Sequence, residues 1–211
     1  MLRPGCVAFL LSLAAASSAT ATSLTVEGLT FSDELGGFKL LDVTGEGSRD
    51  NPFVVVEEID DTGPAILTIY GLDAGFGNRV GTQHVTGFAM TKIAINRSGR
   101  AWLQYHLELR EVNRYSSPYT DGLSFGQGSS ARDYVSSAFP SIELTDEPID
   151  ALGFSGGRVP EGGQASFSFF VTDASPVARI LLLQEAYDPL SDAGCAAPRR
   201  CLADATQSLW R

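Results

Sequence analysis

The chain is short of the side chains that most enzymatic reactions use. It has two histidines, His84 and His106, and three cysteines, Cys6, Cys195 and Cys201. Gly122-Leu123-Ser124-Phe125-Gly126 matches G-x-S-x-G, the nucleophile elbow of α/β-hydrolases, but that motif needs an Asp and then a His later in the chain. Both histidines precede Ser124, and the surrounding residues read as a Gly-rich loop, so the match is read as structural. No D-x-[DN]-x-[DN]-G calcium loop occurs. Asp60, Asp61, Asp73, Asp121, Asp146, Glu147 and Asp150 fall in or beside loops, and a structural Ca²⁺ is the one candidate cofactor they leave open. His106 and Glu108 share a strand face and with His84 would offer three metal ligands, yet the spacing defines no ligand set, and no metal is assigned.

Basic residues are also scarce, 15 against 25 acidic ones, giving a formal net charge of -10. That balance excludes nucleic acid and anionic lipid as electrostatically favoured partners. The apolar run at residues 7–16 is too short to span a bilayer as a stable anchor, and no second candidate follows it. With Arg3 before that run and Ala19-Thr20-Ala21 after it, residues 1–21 read as an export signal with an A-x-A cleavage site. Cys6 precedes most of the run and is misplaced for lipid attachment. The expected product is periplasmic or secreted, with no membrane span.

No amphipathic helix is evident before the tail, and no repeat of fixed period. What is present is strand periodicity. Ala101, Leu103, Tyr105, Leu107 and Leu109 alternate with Trp102, Gln104, His106, Glu108 and Arg110, a period of two that a helix cannot use. Ala89, Thr91, Ile93 and Ile95 alternate with Phe88, Met90 and Lys92, and Asn96-Arg97-Ser98-Gly99-Arg100 lies between. A hairpin over residues 87–110 is therefore expected, closed by a turn with Gly99 left-handed and placing Ile93 opposite Leu103. Asn96-Arg97-Ser98 is also a glycosylation sequon, which the turn explains without a glycan.

Further strands are expected at residues 24–31, 38–43, 53–59, 65–70, 149–154 and 165–171. A fully covered central strand is expected at 180–183. From Arg110 to Pro148 periodicity fades. Tyr115, Tyr119, Phe125 and Tyr134 are spaced there among Ser and Gly, a composition suited to a contact surface, and these four are the candidate binding residues. The alternative is a loop folded over the sheet with its rings buried.

Together these readings predict one all-β domain, a single antiparallel sandwich of Ig-like or jelly-roll-like type with about eight to ten strands. It would occupy residues 22–190. Residues 191–211 form a short tail in which Cys195 and Cys201, an even pair in an exported chain, are expected to join as a disulfide contributing about 2 kcal/mol or less.

Asn51-Pro52-Phe53-Val54-Val55-Val56-Glu57-Glu58, Asp121-Gly122-Leu123-Ser124-Phe125-Gly126-Gln127, Phe169-Phe170-Val171-Thr172-Asp173 and Leu181-Leu182-Leu183-Gln184 resemble uncharacterised exported β-sandwich proteins of Gram-negative bacteria. Residues 159–173 separately resemble a strand pair of bacterial Ig-like sandwiches. Neither resemblance implies an activity. The sequence thus favours a binding module that contacts a protein or glycan through its loops, without a catalytic set. The alternatives are a hydrolytic enzyme with an unfamiliar site and a structural envelope or extracellular component. A cleft joining Ser124 or an acidic pair to a histidine would favour the enzyme, and a flat aromatic loop surface the binding module.

Overall fold

The computed structural model describes residues 20–128, 132–146 and 148–188, with the Tyr119 side chain left aside. Residues 1–19 of the expected signal, and the tail with Cys195 and Cys201, lie outside the described residues. Two sheets pack face to face around one core, so the all-β sandwich is the observed fold.

One sheet has seven antiparallel strands. In spatial order they are β1 (Ser23–Val26), β2 (Leu29–Ser32), β5 (Ala65–Tyr70), β13 (Arg179–Tyr187), β7 (Gln104–Arg110), β11 (Ala151–Ser155) and β10 (Ser141–Thr145). The other runs β3 (Lys39–Thr44), β4 (Phe53–Ile59), β6 (Thr86–Asn96) and β12 (Gln164–Asp173). Two-residue strands β8 (Leu123–Ser124) and β9 (Val135–Ser136) both pair with β12. The contact between β4 and β6 is parallel, because the chain visits β5 in the opposite sheet between them. Strand alternation builds the core directly: Phe53, Val55 and Ile59 of β4 and Ala165, Phe167, Phe169 and Val171 of β12 point inward. Ile180, Leu181, Leu182 and Leu183 are all buried, as expected for a central strand covered on both faces.

The expected hairpin over residues 87–110 does not form. β6 lies between β4 and β12, whereas β7 lies between β13 and β11 in the other sheet, so the turn carries the chain from sheet to sheet. Ile93 faces Ser166 and not Leu103. The inward face of β6 is also the opposite one: Phe88, Met90, Lys92 and Ala94 are buried in the core, while Thr91, Ile93 and Ile95 are only half-buried. β6 is apolar on both faces, so its alternation does not distinguish them. In β7 the expected inward set Tyr105, Leu107 and Leu109 is correct. Just before it, Trp102 is fully buried and Leu103 half-buried, the reverse of the expectation. Trp102 exchanges backbone hydrogen bonds of 2.9 Å with Val159 in both directions, and its indole Nε1 donates to Ser98 Oγ at 3.0 Å. That bridge interrupts the period of two between residues 102 and 105.

Asn96 closes the crossover. Its Nδ2 donates to the carbonyls of Arg100 (2.6 Å) and Val159 (3.1 Å), and its Oδ1 accepts from Ser98 N (3.0 Å) and Ser98 Oγ (2.7 Å). The side chain is fully buried, so the amide of the sequon is committed to the turn. Gly99 takes the left-handed conformation expected of it, φ 77°.

The stretch from Arg110 to Pro148 is more regular than its sequence suggests. It holds a 3₁₀ turn at Tyr119–Asp121 and the strands β8, β9 and β10, the last forming an edge of the seven-stranded sheet. Gly122 is required by the backbone: its φ is 89°, and a Cβ there would come within 2.9 Å of Ala174.

Candidate functional site

On β7 the residues facing away from the core are Gln104, His106, Glu108 and Arg110. Antiparallel pairing sets Gly153 of β11 beside His106 on one side and Glu185 of β13 beside it on the other. Beyond Gly153 comes Glu143 of β10. The row Glu143, Gly153, His106, Glu185 therefore crosses four strands of the outer face, and its one missing side chain is at Gly153. A Cβ built there would meet only the Glu143 carbonyl oxygen, at 3.9 Å. Gly153 and Ala151 leave the floor low, and a groove of about 540 Å³ opens over them. Its polar lining includes Gln104, His106, Ser141, Glu143, Thr145 and Tyr187. The volume lies within the range of small-ligand pockets, about 300–1,000 Å³.

Burial lowers the His106 pKa; Arg110 adds to this and the Glu108 carboxylate opposes it. The imidazole is therefore neutral at pH 7, and its buried Nδ1 has no hydrogen-bond partner. Burial raises Glu185 to about 6, with Arg110 opposing and Glu108 reinforcing. Glu108 is held by Arg110 through two hydrogen bonds, Nε to Oε1 at 2.7 Å and Nη2 to Oε2 at 2.9 Å, and Arg110 Nη1 also donates to the Asn113 carbonyl at 3.0 Å. Glu185 and Glu108 lie outside the lining, so only Glu143 brings a carboxylate into the groove.

At one end of the sandwich Glu111, Asp121, Asp150 and Asp173 influence one another. Burial raises Asp150 to about 7, with the Asp121, Asp146 and Glu108 carboxylates reinforcing and Arg132 opposing. Burial raises Glu111 and Asp173 as well, and Asp121 adds to both. Among the described residues no group of three or more His, Cys, Asp or Glu side chains is arranged to hold a metal ion.

Of the four aromatic candidates of the long connection, the three whose side chains are described do not form one exposed surface. Tyr115 is 72% exposed, whereas Phe125 is buried edge-on against Phe169, with ring centroids 5.3 Å apart. Tyr134 packs half-buried against the core and donates its hydroxyl to the Phe125 carbonyl. The Tyr119 side chain is outside the description. Phe125 and Tyr134 thus follow the alternative reading, rings folded over the sheet. Ser124 Oγ shares a hydrogen bond with Thr172 Oγ1 at 3.2 Å, and among the described residues no helix follows it, so the strand–turn–helix setting of a nucleophile elbow is not seen there. His84 lies near the Thr172 backbone and Asp173, which raise its pKa against the larger lowering by burial.

Of the groove residues, sequence reading placed His106 and Gln104 on an outward face and missed Ser141, Glu143, Thr145, Gly153 and Tyr187 as a group. Ser141-Ile142-Glu143-Leu144-Thr145 does alternate, but over only five residues within a stretch read as a loop. Comparison with known proteins found no matching family model, curated protein or solved structure.

Proposed function

We propose that this protein is an exported binding module that takes a carbohydrate chain in the groove over Gly153. The observation carrying this reading is the lining itself. Hydroxyl groups (Ser141, Thr145), an amide (Gln104), a neutral imidazole (His106), one carboxylate (Glu143) and a phenol ring (Tyr187) surround an open floor. Sugar hydroxyls need donors and acceptors at several angles together with an apolar surface, and this set supplies both. The acidic surface disfavours polyanionic ligands. The groove also differs from the flat aromatic surface expected of a loop-based protein contact.

The enzymatic alternative has less support. Glycoside hydrolysis uses two carboxyl groups facing each other across the substrate, and the groove presents one. The test is a glycan array followed by calorimetry on the purified mature protein, alongside Tyr187→Ala. Saturable binding that Tyr187→Ala weakens at least tenfold is expected. Release of cleaved sugar would install the hydrolase reading instead, and binding indifferent to Tyr187→Ala would remove the groove from the account.

A further inference from the structure

Two charged side chains meet in the middle of the core. Glu57 projects inward from β4 and Lys92 from the adjacent parallel strand β6, and both are fully buried. Lys92 pairs in register with Val55, so Glu57 is its diagonal neighbour on the same face. From the facing sheet come Tyr105 of β7 and Gln184 of β13, also buried. Lys92 Nζ donates to Tyr105 OH (3.1 Å), Tyr105 OH donates to Gln184 Oε1 (2.9 Å), and Gln184 Nε2 donates to Glu57 Oε2 (3.0 Å). The ring closes where Lys92 Nζ is in direct contact with Glu57 Oε1. The surroundings are apolar: Phe167 stacks on Tyr105 with centroids 4.4 Å apart, and Trp102 lies 5.5 Å from it.

Oε2 of Glu57 accepts from Gln184 Nε2, and the Lys92 amine is held in a fully buried ion-pair contact with Oε1. An amide between the two residues would remove that atom and keep every other bond: its N–H donates to Tyr105 OH, and its carbonyl oxygen, the former Oε2, accepts from Gln184 Nε2. We propose that Lys92 and Glu57 are joined by an intramolecular isopeptide bond that the folded chain forms by itself.

The reaction balances without a co-reactant. Within the ion pair one proton passes from Nζ to Oε1, leaving a neutral amine and a neutral carboxyl; the amine nitrogen then attacks Cδ of Glu57, a second Nζ proton passes to Oε1, and the Cδ–Oε1 bond breaks as Oε1 leaves as water. Burial lowers the Lys92 pKa well below its usual range, which favours the neutral, nucleophilic amine. The sandwich holds nucleophile and electrophile in contact, replacing a bimolecular encounter by a fixed geometry. Gln184 and Tyr105 are positioning residues, one polarising the carbonyl that remains and the other orienting the amine. The bond would add a covalent tie to the parallel ladder between β4 and β6, whose chain connection runs through a strand of the opposite sheet. For an exported protein exposed to proteases and force, such a tie resists local opening.

The test is the mass of the purified mature protein after reduction. It should be lighter by one water than the sequence that begins at the N-terminus found. Trypsin should then leave residues 50–79 joined to residues 80–97, uncleaved after Lys92. A Lys92→Met variant should carry full mass; because that variant leaves Glu57 buried and unpaired, Lys92→Met combined with Glu57→Gln serves as a second control. Full mass in the natural chain with cleavage after Lys92 overturns the proposal. So does a loss of ammonia mapped to Gln184, or a loss of water mapped to succinimide formation at Asp121-Gly122.

Discussion

Gly153 faces Glu143 across the β10–β11 pair, and a side chain added to Gly153 would meet nothing nearer than the Glu143 carbonyl oxygen at 3.9 Å. The missing side chain at Gly153 thus leaves open space on the floor of the groove. Replacing Gly153 by Leu starts from a Cβ in ordinary contact and should place a side chain over the floor. Stability should hold or rise by about 0.5–1 kcal/mol, since glycine weakens a strand interior, while glycan binding is lost. Thermal melts and calorimetry on the same variant check both halves, and a collapsed melt with binding retained would contradict them.

The reversal at Trp102 and Leu103 gives a sharper test of register. Trp102→Ala removes a fully buried side chain from the core cluster and its indole bond to Ser98, so it should cost about 3–5 kcal/mol. Leu103→Ala, at a half-buried position, should cost about 1 kcal/mol. Chemical denaturation of both decides. Equal losses would restore the uninterrupted alternation that the sequence suggests.

That alternation shows why the fold class was legible and the topology was not. A period of two identifies a strand and, where one face is polar, its buried side, as it does for Tyr105, Leu107 and Leu109. It carries no information on which strand pairs with which. Thr91, Ile93 and Ile95 look like a core face, and Lys92 looks like solvent, until a partner for Lys92 is known. That partner, Glu57, is 35 residues earlier in a different strand. The groove was hidden for the same reason: its lining comes from four strands whose order no local pattern states.

In the long connection, Tyr115 and Phe125 should behave oppositely. Phe125→Ala vacates a buried site against Phe169 and should cost about 3–5 kcal/mol. Tyr115→Ser should leave the melting temperature within about one degree, as surface substitutions do. Scanning calorimetry distinguishes them, and a large loss at Tyr115 would mean that its ring is covered in solution.

Arg110 neutralises Glu108 on the outer face of the seven-stranded sheet through two hydrogen bonds, with both side chains nearly or fully buried. Arg110→Met should therefore leave an unpaired buried carboxylate and cost about 3–5 kcal/mol. Glu108→Gln together with Arg110→Met should recover much of that loss, because no unpaired charge remains. Urea titrations of the single and double variants measure the difference. A double variant no better than the single one would show that the arginine acts through packing alone.

Asp150 sets the expected pH response. Its carboxyl is buried, its Oδ2 has no hydrogen-bond partner, and its folded pKa of about 7 exceeds the ordinary aspartate value. A raised carboxyl pKa means the folded state binds the proton more tightly than the unfolded state. The resulting stability is complete below the unfolded pKa and is lost as pH rises through the folded one. Glu185, raised to about 6, acts in the same direction over a narrower window. Asp150 and Glu185 should therefore raise the melting temperature near about pH 5 relative to near about pH 8, whereas His84 and His106, whose pKa values burial lowers, act in the opposite sense as pH falls, and the comparison with Asp150→Asn isolates the aspartate's share. Asp150→Asn removes the charge while keeping the shape. It should raise stability near about pH 8 by about 2 kcal/mol after discounting for solvent screening, and change it little near about pH 5. Melts of both proteins across that range give the comparison. If Asp150→Asn destabilised the protein most at the alkaline end, Asp150 would be a paired carboxylate and the assignment of its pKa would have the wrong sign.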